Sequence, residues 1–257
     1  MSDFIAALPM YDWPEERAAV DAQWARLRDR FLAAGIEAPR DLVRRNGDMQ
    51  AVPGGIRDAQ GALIAPDPAT LPPDDLDLAT LWRHPRLLLS QTCWGPMETT
   101  GLAPHVEVVG QQDYSDVEGG SGDCYSSALV MRDGDSSSER PAGLPLHLMR
   151  GARLAFNDPH SLSGLLGLSR DLEAAGEGLS IFAGTVQTGG HRASVAAIAE
   201  GRADIAAIDC RSWQLALRHE PAARALRVVG WTTLTRGLPF IRSALLPRAL
   251  CERWPLP

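Results

Sequence analysis

The chain has 257 residues, 45% of them apolar and 22% charged, enough to build one large core or two smaller ones. Its 32 acidic residues against 25 basic ones give a net charge of −7, which argues against a general binder of nucleic-acid backbones and confines any anion site to a local arrangement. Every basic residue is arginine, so a lysine Schiff base and a lysine-dependent phosphate loop are excluded as well.

The apolar run from Phe4 to Met10 predicts a first strand, followed by a helix in "PEERAAVDAQWARLRDRFLAAG". Pro14 stands near its first turn, Gly35 past its end, and Val20, Trp24, Leu27 and Phe31 share one face. Residues 47–75 are rich in Pro and Gly and read as a surface excursion with a hairpin. The acidic "PPDDLDL" that closes it reads as a helix start, where carboxylates offset the dipole. Strands are predicted at 86–92, 105–110 and 125–131, each short, apolar and bounded by Pro, Gly or charge. After the polar loop "RDGDSSSERPAG" the pattern resumes: strand 153–157, helix from 163, strand near 180, helix from 191, strand 204–208, helix from 210 and strand 226–231. Strands and helices thus alternate twice, with a break near residue 130, which predicts a two-lobed α/β protein.

Cys93, Cys124, Cys210 and Cys251 are scattered, without the paired spacings of a zinc or redox motif, and read as free thiols. Neither a metal nor a cofactor is expected. No segment approaches the roughly 20 apolar residues of a membrane-crossing helix, so no membrane insertion is expected. "MSDFIAALPMYD" has neither the basic start nor the apolar run of a secretory leader, so the sequence as it stands reads as cytoplasmic; a leader lost upstream would make it periplasmic.

In open α/β folds, ligands sit outside the carboxyl ends of the strands. The polar clusters of this sequence fall there: Tyr11 and Asp12 after the first strand; Gln91, Thr92 and Trp94 after "RLLLS"; Ser161 to Gly164 after "RLAFN"; His191 and Ser194 at a helix start; and Asp209 at the end of "ADIAAID". Ser161 and Ser163 read either as helix caps or as anion ligands, because a turn of free N–H groups at a helix start serves both ends. Gly164 would allow close approach of the backbone. His191 offers one donor when neutral, and two with a charge when protonated. Tyr11, Trp94 and Tyr125 read as core aromatics or as walls for the organic part of a ligand. Asp209 reads as a cap or as a cleft residue, and Arg202 and Asp204 as surface charges.

Four segments, "YSSALVMR" at 125–132, "NDPHSLSG" at 157–164, "TGGHRASVAAIAEGRADIAAID" at 188–209 and "GLPFIRS" at 237–243, carry a resemblance by their order and spacing. Over about residues 4 to 245 the chain resembles the phosphonate-binding branch of the periplasmic substrate-binding proteins of ABC transporters. The resemblance implies the type II binding-protein fold: two α/β lobes joined by crossing strands and closing on a small ligand held in a cleft between them. Lobe 1 would be residues 1–124 with 236–257 returning to it, and lobe 2 residues 125–235. It also implies that the anionic head is held by a Ser-Thr-Ser-like turn and a histidine at the next helix start, here Ser161, Leu162, Ser163 and His191. Tyr11, Gln91 and Trp94 would close over the tail.

The sequence departs from that pattern in two places. Leu162 stands where a hydroxyl is usual, and Arg192 stands where aminophosphonate binders carry an acid, which would repel an ammonium group. The expected function is capture of a small anionic solute, a phosphonate, phosphate ester or similar oxyanion, without catalysis, by a transport component or a cytosolic sensor or scavenger. The expected partners are that ligand and the membrane component of an ABC transporter, with no nucleic acid. The alternative is a cytoplasmic enzyme of the same fold acting on a small organic acid, as in menaquinone- or thiamine-precursor synthesis. A Ser–His pair, or His191 beside Cys93 or Cys210, would support that alternative.

Overall fold

A computed structural model describes residues 3–133 and 144–255. The chain folds as two compact units: Met1–Thr92, Met97–Gln112 and Leu238–Pro257 in the first, Cys93–Pro96 and Asp113–Gly237 in the second. The passage into the second unit at Asp113 comes ahead of the 124/125 division expected from sequence. The polar loop read at 132–143 lies, from residue 134 onward, outside the described residues.

The first unit is built on a four-stranded sheet in the order Ile5–Ala7, Leu87–Gln91, Pro239–Ser243, Val106–Gln111. The first two strands are parallel, and the third runs antiparallel to both its neighbours. Leu87–Gln91 is buried along its whole length, as expected of a central strand with both faces covered. The helix Arg17–Ala33 presents Val20, Trp24 and Phe31 to the core at the predicted spacing, with Leu27 at the margin. Trp254 closes that core edge-on to Phe31 at 5.0 Å. The hairpin in the Pro-rich excursion pairs Ile56–Arg57 with Leu63–Ala65, and Asp77 caps a short helix, Leu78–Arg83. Pro239–Ser243 was not read as a strand. Its leading Pro is tolerated at a first position, and Arg242 meets Glu107 directly across the sheet, a cross-strand ion pair at 2.6 Å.

The second unit carries a five-stranded sheet in the order Gly184–Gln187, Arg153–Phe156, Ile205–Asp209, Ser127–Arg132, Leu226–Trp231. Its first three strands are mutually parallel, and the last two pair antiparallel. Tyr125, expected to open the 125–131 strand, lies instead in Cys124–Tyr125, which pairs with Gly120–Ser121 and Thr235–Arg236 in a small separate sheet. The strand expected near 180 is a 3₁₀ turn, Leu179–Ile181, whose Leu179 and Ile181 pack on the core formed by Leu154, Leu168, Leu172 and Ile205. The strand itself comes later, at Gly184–Gln187. Apolar side chains on a one-turn 3₁₀ element bury as well as those of a short strand, and periodicity does not separate the two. Among the described residues no helix is long and apolar enough to cross a membrane.

Asp204, read as a surface charge, anchors this sheet. Its carboxylate accepts from the Arg153 backbone N–H at 2.8 Å and from that guanidinium at 2.8 and 2.9 Å, which lowers its pKa to about 2. A depressed carboxylate pKa contributes stability above the ordinary value and loses it as pH falls through the folded one. Asp204→Asn is therefore expected to cost about 1–2 kcal/mol at neutral pH, discounted for partial exposure. In urea melts the difference from the parent should shrink as pH falls from about 4 to about 2.

Candidate functional site

Because Gly184–Gln187, Arg153–Phe156 and Ile205–Asp209 are adjacent and parallel, the loops leaving their carboxyl ends emerge side by side. The ladder runs past the strand ends: Thr188 N donates to Phe156 O and Gly189 N to Asn157 O, both at 2.9 Å. Two helix starts, one after Ser161 and one at His191, are thereby brought into contact. Ser163 Oγ lies 2.9 Å from His191 Nε2 and Ser161 Oγ lies 3.4 Å from Ser163 Oγ.

The helix start at 161 is closed by protein atoms. Ser161, with φ −73° and ψ 123°, is the N-cap of a single π turn, Leu162–Leu166, that runs into the helix Gly167–Ala174. Its hydroxyl accepts from Gly164 N at 3.1 Å, and its carbonyl accepts from Leu165 and Leu166. Leu162 N donates to Cys93 Sγ at 3.4 Å, and the backbone N–H groups of Gly95 and Ser163 also face that sulfur. The expected cradle of free N–H groups is thus a correction: the donors of this turn are already used, and the Leu162 side chain is buried. Gly164 is corrected likewise. A Cβ there would stand 1.8 Å from Asn157 Oδ1, so its missing side chain makes room for Asn157 rather than for a ligand. Gly95 serves the same end, since a Cβ would meet His160 O at 1.8 Å.

What remains unpaired is side-chain chemistry. Tyr125 is fully buried, and its hydroxyl has no hydrogen-bond partner. Burial, reinforced by nearby Cys93 and Asp209, holds its phenol protonated, well above the ordinary range, with the Ser163 hydroxyl beside it opposing the shift. The ring stacks on buried Tyr114 at 5.2 Å, over which Arg211 stands while pairing with Asp116. His191 Nδ1 is also buried and unpartnered; burial lowers the pKa of this histidine, against the opposing charge of Asp209. Asp209 itself is the N-cap of Cys210–His219, accepting from Ser212 N at 2.9 Å, so the cap reading holds and the carboxylate stays buried beside the site.

Two further expectations change. Arg192 turns away into an ion pair with Glu220 at 2.9 Å and a bond to His219 O, so its charge is neutralised at the far end of the neighbouring helix. Trp94 spends its indole N–H on Gly237 O at 2.8 Å, and Arg236 covers a ring face at 5.6 Å. Sequence reasoning did not assign Cys93 as the acceptor that closes the turn, nor did it find Asn157. The available signal for Cys93 was its place directly after Gln91 and Thr92 at a strand end.

In the first unit, Tyr11, Gln91 and Thr92 are buried at the carboxyl side of the parallel pair. Gln91 accepts from Met10 N at 3.4 Å and donates to Gln112 Oε1 at 3.3 Å, while Thr92 Oγ1 is buried without a partner. A groove of about 870 Å³ in this unit is lined by Phe4, Arg17, Arg40, Arg44 and Arg45 and by none of the candidates. It lies at the amino end of Ile5–Ala7, and Arg44 is committed to Asp12 and Asp21. No cluster of metal-ligating side chains occurs among the described residues, and all four cysteines are free.

The profile of one protein family, "ABC transporter, phosphonate, periplasmic substrate-binding protein", matches residues 103–253. The chain belongs to this family. Its fold is that of the periplasmic binding proteins. A binding-protein component of an ABC phosphonate transporter from Pseudomonas aeruginosa superposes with a TM-score of 0.61 at 17% identity, covering 98% of this chain and 72% of the other. PhnD1 of Prochlorococcus marinus, solved with methylphosphonate, gives 0.59 at 17% identity, over 98% and 78%. A histidine kinase sensor domain similar to periplasmic binding proteins gives 0.55 at 12% identity, over 98% and 88%. No curated protein sequence matches the chain.

Two outcomes follow from these placements. Arg192→Gln should leave oxyanion affinity within about twofold, as measured by titration calorimetry, because the residue is paired elsewhere. Gly164→Ala should lower stability by about 1–3 kcal/mol through overpacking, and Asn157→Ser in the same chain should recover most of that loss in thermal melts.

Proposed function

We propose that this protein is a substrate-binding component that captures a small oxyanion, a phosphonate or phosphate ester, for the membrane component of an ABC transporter. The headgroup is held in the second unit by the hydroxyls of Ser163 and Tyr125 and by His191, with Ser161 fixing the turn that carries Ser163. The observation that carries this reading is the orphaned pair of buried polar atoms, Tyr125 Oη and His191 Nδ1, beside the bonded Ser163–His191 pair. An unpaired buried polar group costs about 1–3 kcal/mol, a cost that a ligand's own acceptors and donors would remove. Family membership supports both the class of ligand and the class of partner. Tyr11, Gln91, Thr92, Trp94 and Asp209 stay secondary candidates, and Arg192 and Gly164 leave the set for the reasons above. The family is periplasmic, and the same location is proposed here over the cytoplasmic one read from the sequence as it stands.

The Ser163–His191 contact is also the pair that the enzyme alternative required, so that reading has one observation in its favour. A serine nucleophile needs its histidine oriented by a third group. His191 Nδ1 has none. The cysteine versions fail on the same page: His191 Nε2 faces Ser163, burial raises the Cys93 thiol, and burial with Asp209 pushes Cys210 up to about 12.

In ligand-stripped protein, methylphosphonate at a hundred times its Kd should stabilise the fold by roughly 2.7 kcal/mol, about 5–10 °C in Tm. Ser163→Ala and Tyr125→Phe should each weaken binding about tenfold or more. Unchanged affinity in both variants would remove the headgroup site from the second unit. A fluorophosphonate should leave the intact mass unchanged; an adduct on Ser163 would favour the enzyme.

A further inference from the structure

The headgroup site proposed above has an unusual charge inventory for an anion receptor. Its side-chain groups are hydroxyls and a neutral imidazole. The N–H groups of the helix start after Ser161 are bound to Cys93 Sγ and Ser161, while the helix start at His191 has no side-chain cap and adds neutral backbone donors. The cations of the second unit nearest to it are engaged or outside: Arg192 on Glu220, Arg211 on Asp116, and Arg236 exposed over the Trp94 ring. The titratable groups around His191 and Tyr125 are Cys93, Tyr114 and the buried carboxylate of Asp209. On the adjoining loop, Asp158 is bonded to His160 N.

We propose that the site takes its ligand in a singly charged form and discriminates against the doubly charged form, so that a phosphonate or phosphomonoester is bound carrying one acidic proton. This rests on the headgroup reading of the second unit. A single negative charge can be met by neutral hydroxyl donors in a desolvated site, whereas a second charge finds no unengaged cation among the described residues of the second unit and meets Asp209. The tautomer supplies the matching acceptor. With the proton on His191 Nε2 facing Ser163 Oγ, Ser163 turns its O–H to a ligand oxygen, and the unpartnered Nδ1 lone pair accepts the ligand's P–O–H. The ligand proton then becomes a recognition element, which favours partly protonated oxyacids over fully ionised ones at neutral pH.

The test is titration calorimetry on the whole, ligand-stripped chain between about pH 5 and 8.5, using two probes. Methylphosphonate, like a phosphomonoester with its second pKa near 6, passes from singly to doubly charged across this range; methanesulfonate stays singly charged throughout. The proposal expects the Kd of methylphosphonate to rise about tenfold per pH unit once it is doubly charged, while that of methanesulfonate moves less than about twofold. Arg236→Gln should keep the same slope. A methylphosphonate Kd that is flat or falls with pH overturns the proposal, and so does a parallel rise for both probes, which would place the titration on the protein. Loss of the slope in Arg236→Gln also overturns it by assigning charge selection to that cation. Binding of neither probe at any pH overturns the underlying headgroup reading itself.

Discussion

A 2.9 Å hydrogen bond between Ser163 Oγ and His191 Nε2 joins two helix starts that lie 28 residues apart in sequence. It exists because Arg153–Phe156 and Gly184–Gln187 run parallel and adjacent, so their exits share one edge of the sheet. Ile205–Asp209, parallel on the other side of Arg153–Phe156, delivers Asp209 to the same edge. Everything proposed about recognition depends on that shared edge. The second unit brings a hydroxyl, an imidazole and a carboxylate together because three parallel strands end there, and Tyr125 adds its phenol from the small separate sheet.

A helix terminus attracts anions through its unsatisfied N–H groups and its dipole. At the helix start after Ser161 the first of these is largely spent. Ser161 closes the turn from within, and Cys93 closes it from a segment far away in sequence. The proposed headgroup site relies on neutral side chains whose polar atoms are buried and incompletely paired, beside the uncapped helix start at His191. Tyr125 is held from behind by Tyr114, and Tyr114 in turn lies under Arg211, a cation fixed by Asp116. Arg211 and Asp116 thus brace the proposed site from outside.

Much of the architecture was legible in the sequence. The amphipathic helix with Val20, Trp24 and Phe31 showed its period, and the buried central strands LLLSQ and IAAID showed as short apolar runs. What escaped was structure whose signal is tertiary. The strand Pro239–Ser243 is defined by partners on both sides rather than by its own composition, and the turn at Leu179–Ile181 packs its half-buried apolar side chains on the core as a strand would. Of the residues in the proposed site, Ser161 and Ser163 carry the local signature of helix caps, and it is the family resemblance, with the position of His191 at the next helix start, that points from caps to a ligand. Arg192 could not be placed, since its direction is set by Glu220 on another helix, and Gly164 was assigned to the wrong neighbour because nothing local marks Asn157 as filling that space.

The central claim is that the anion is met by neutral side chains centred on His191. Its most direct test is nuclear magnetic resonance of the His191 imidazole nitrogens, followed while methylphosphonate is added at neutral pH. The account predicts that both nitrogens shift on binding, that the ring keeps the signature of a neutral Nε2–H tautomer, and that Nδ1 changes most as it gains its missing partner. An imidazole that becomes doubly protonated when the ligand binds, or one that does not respond to saturating ligand, would contradict it.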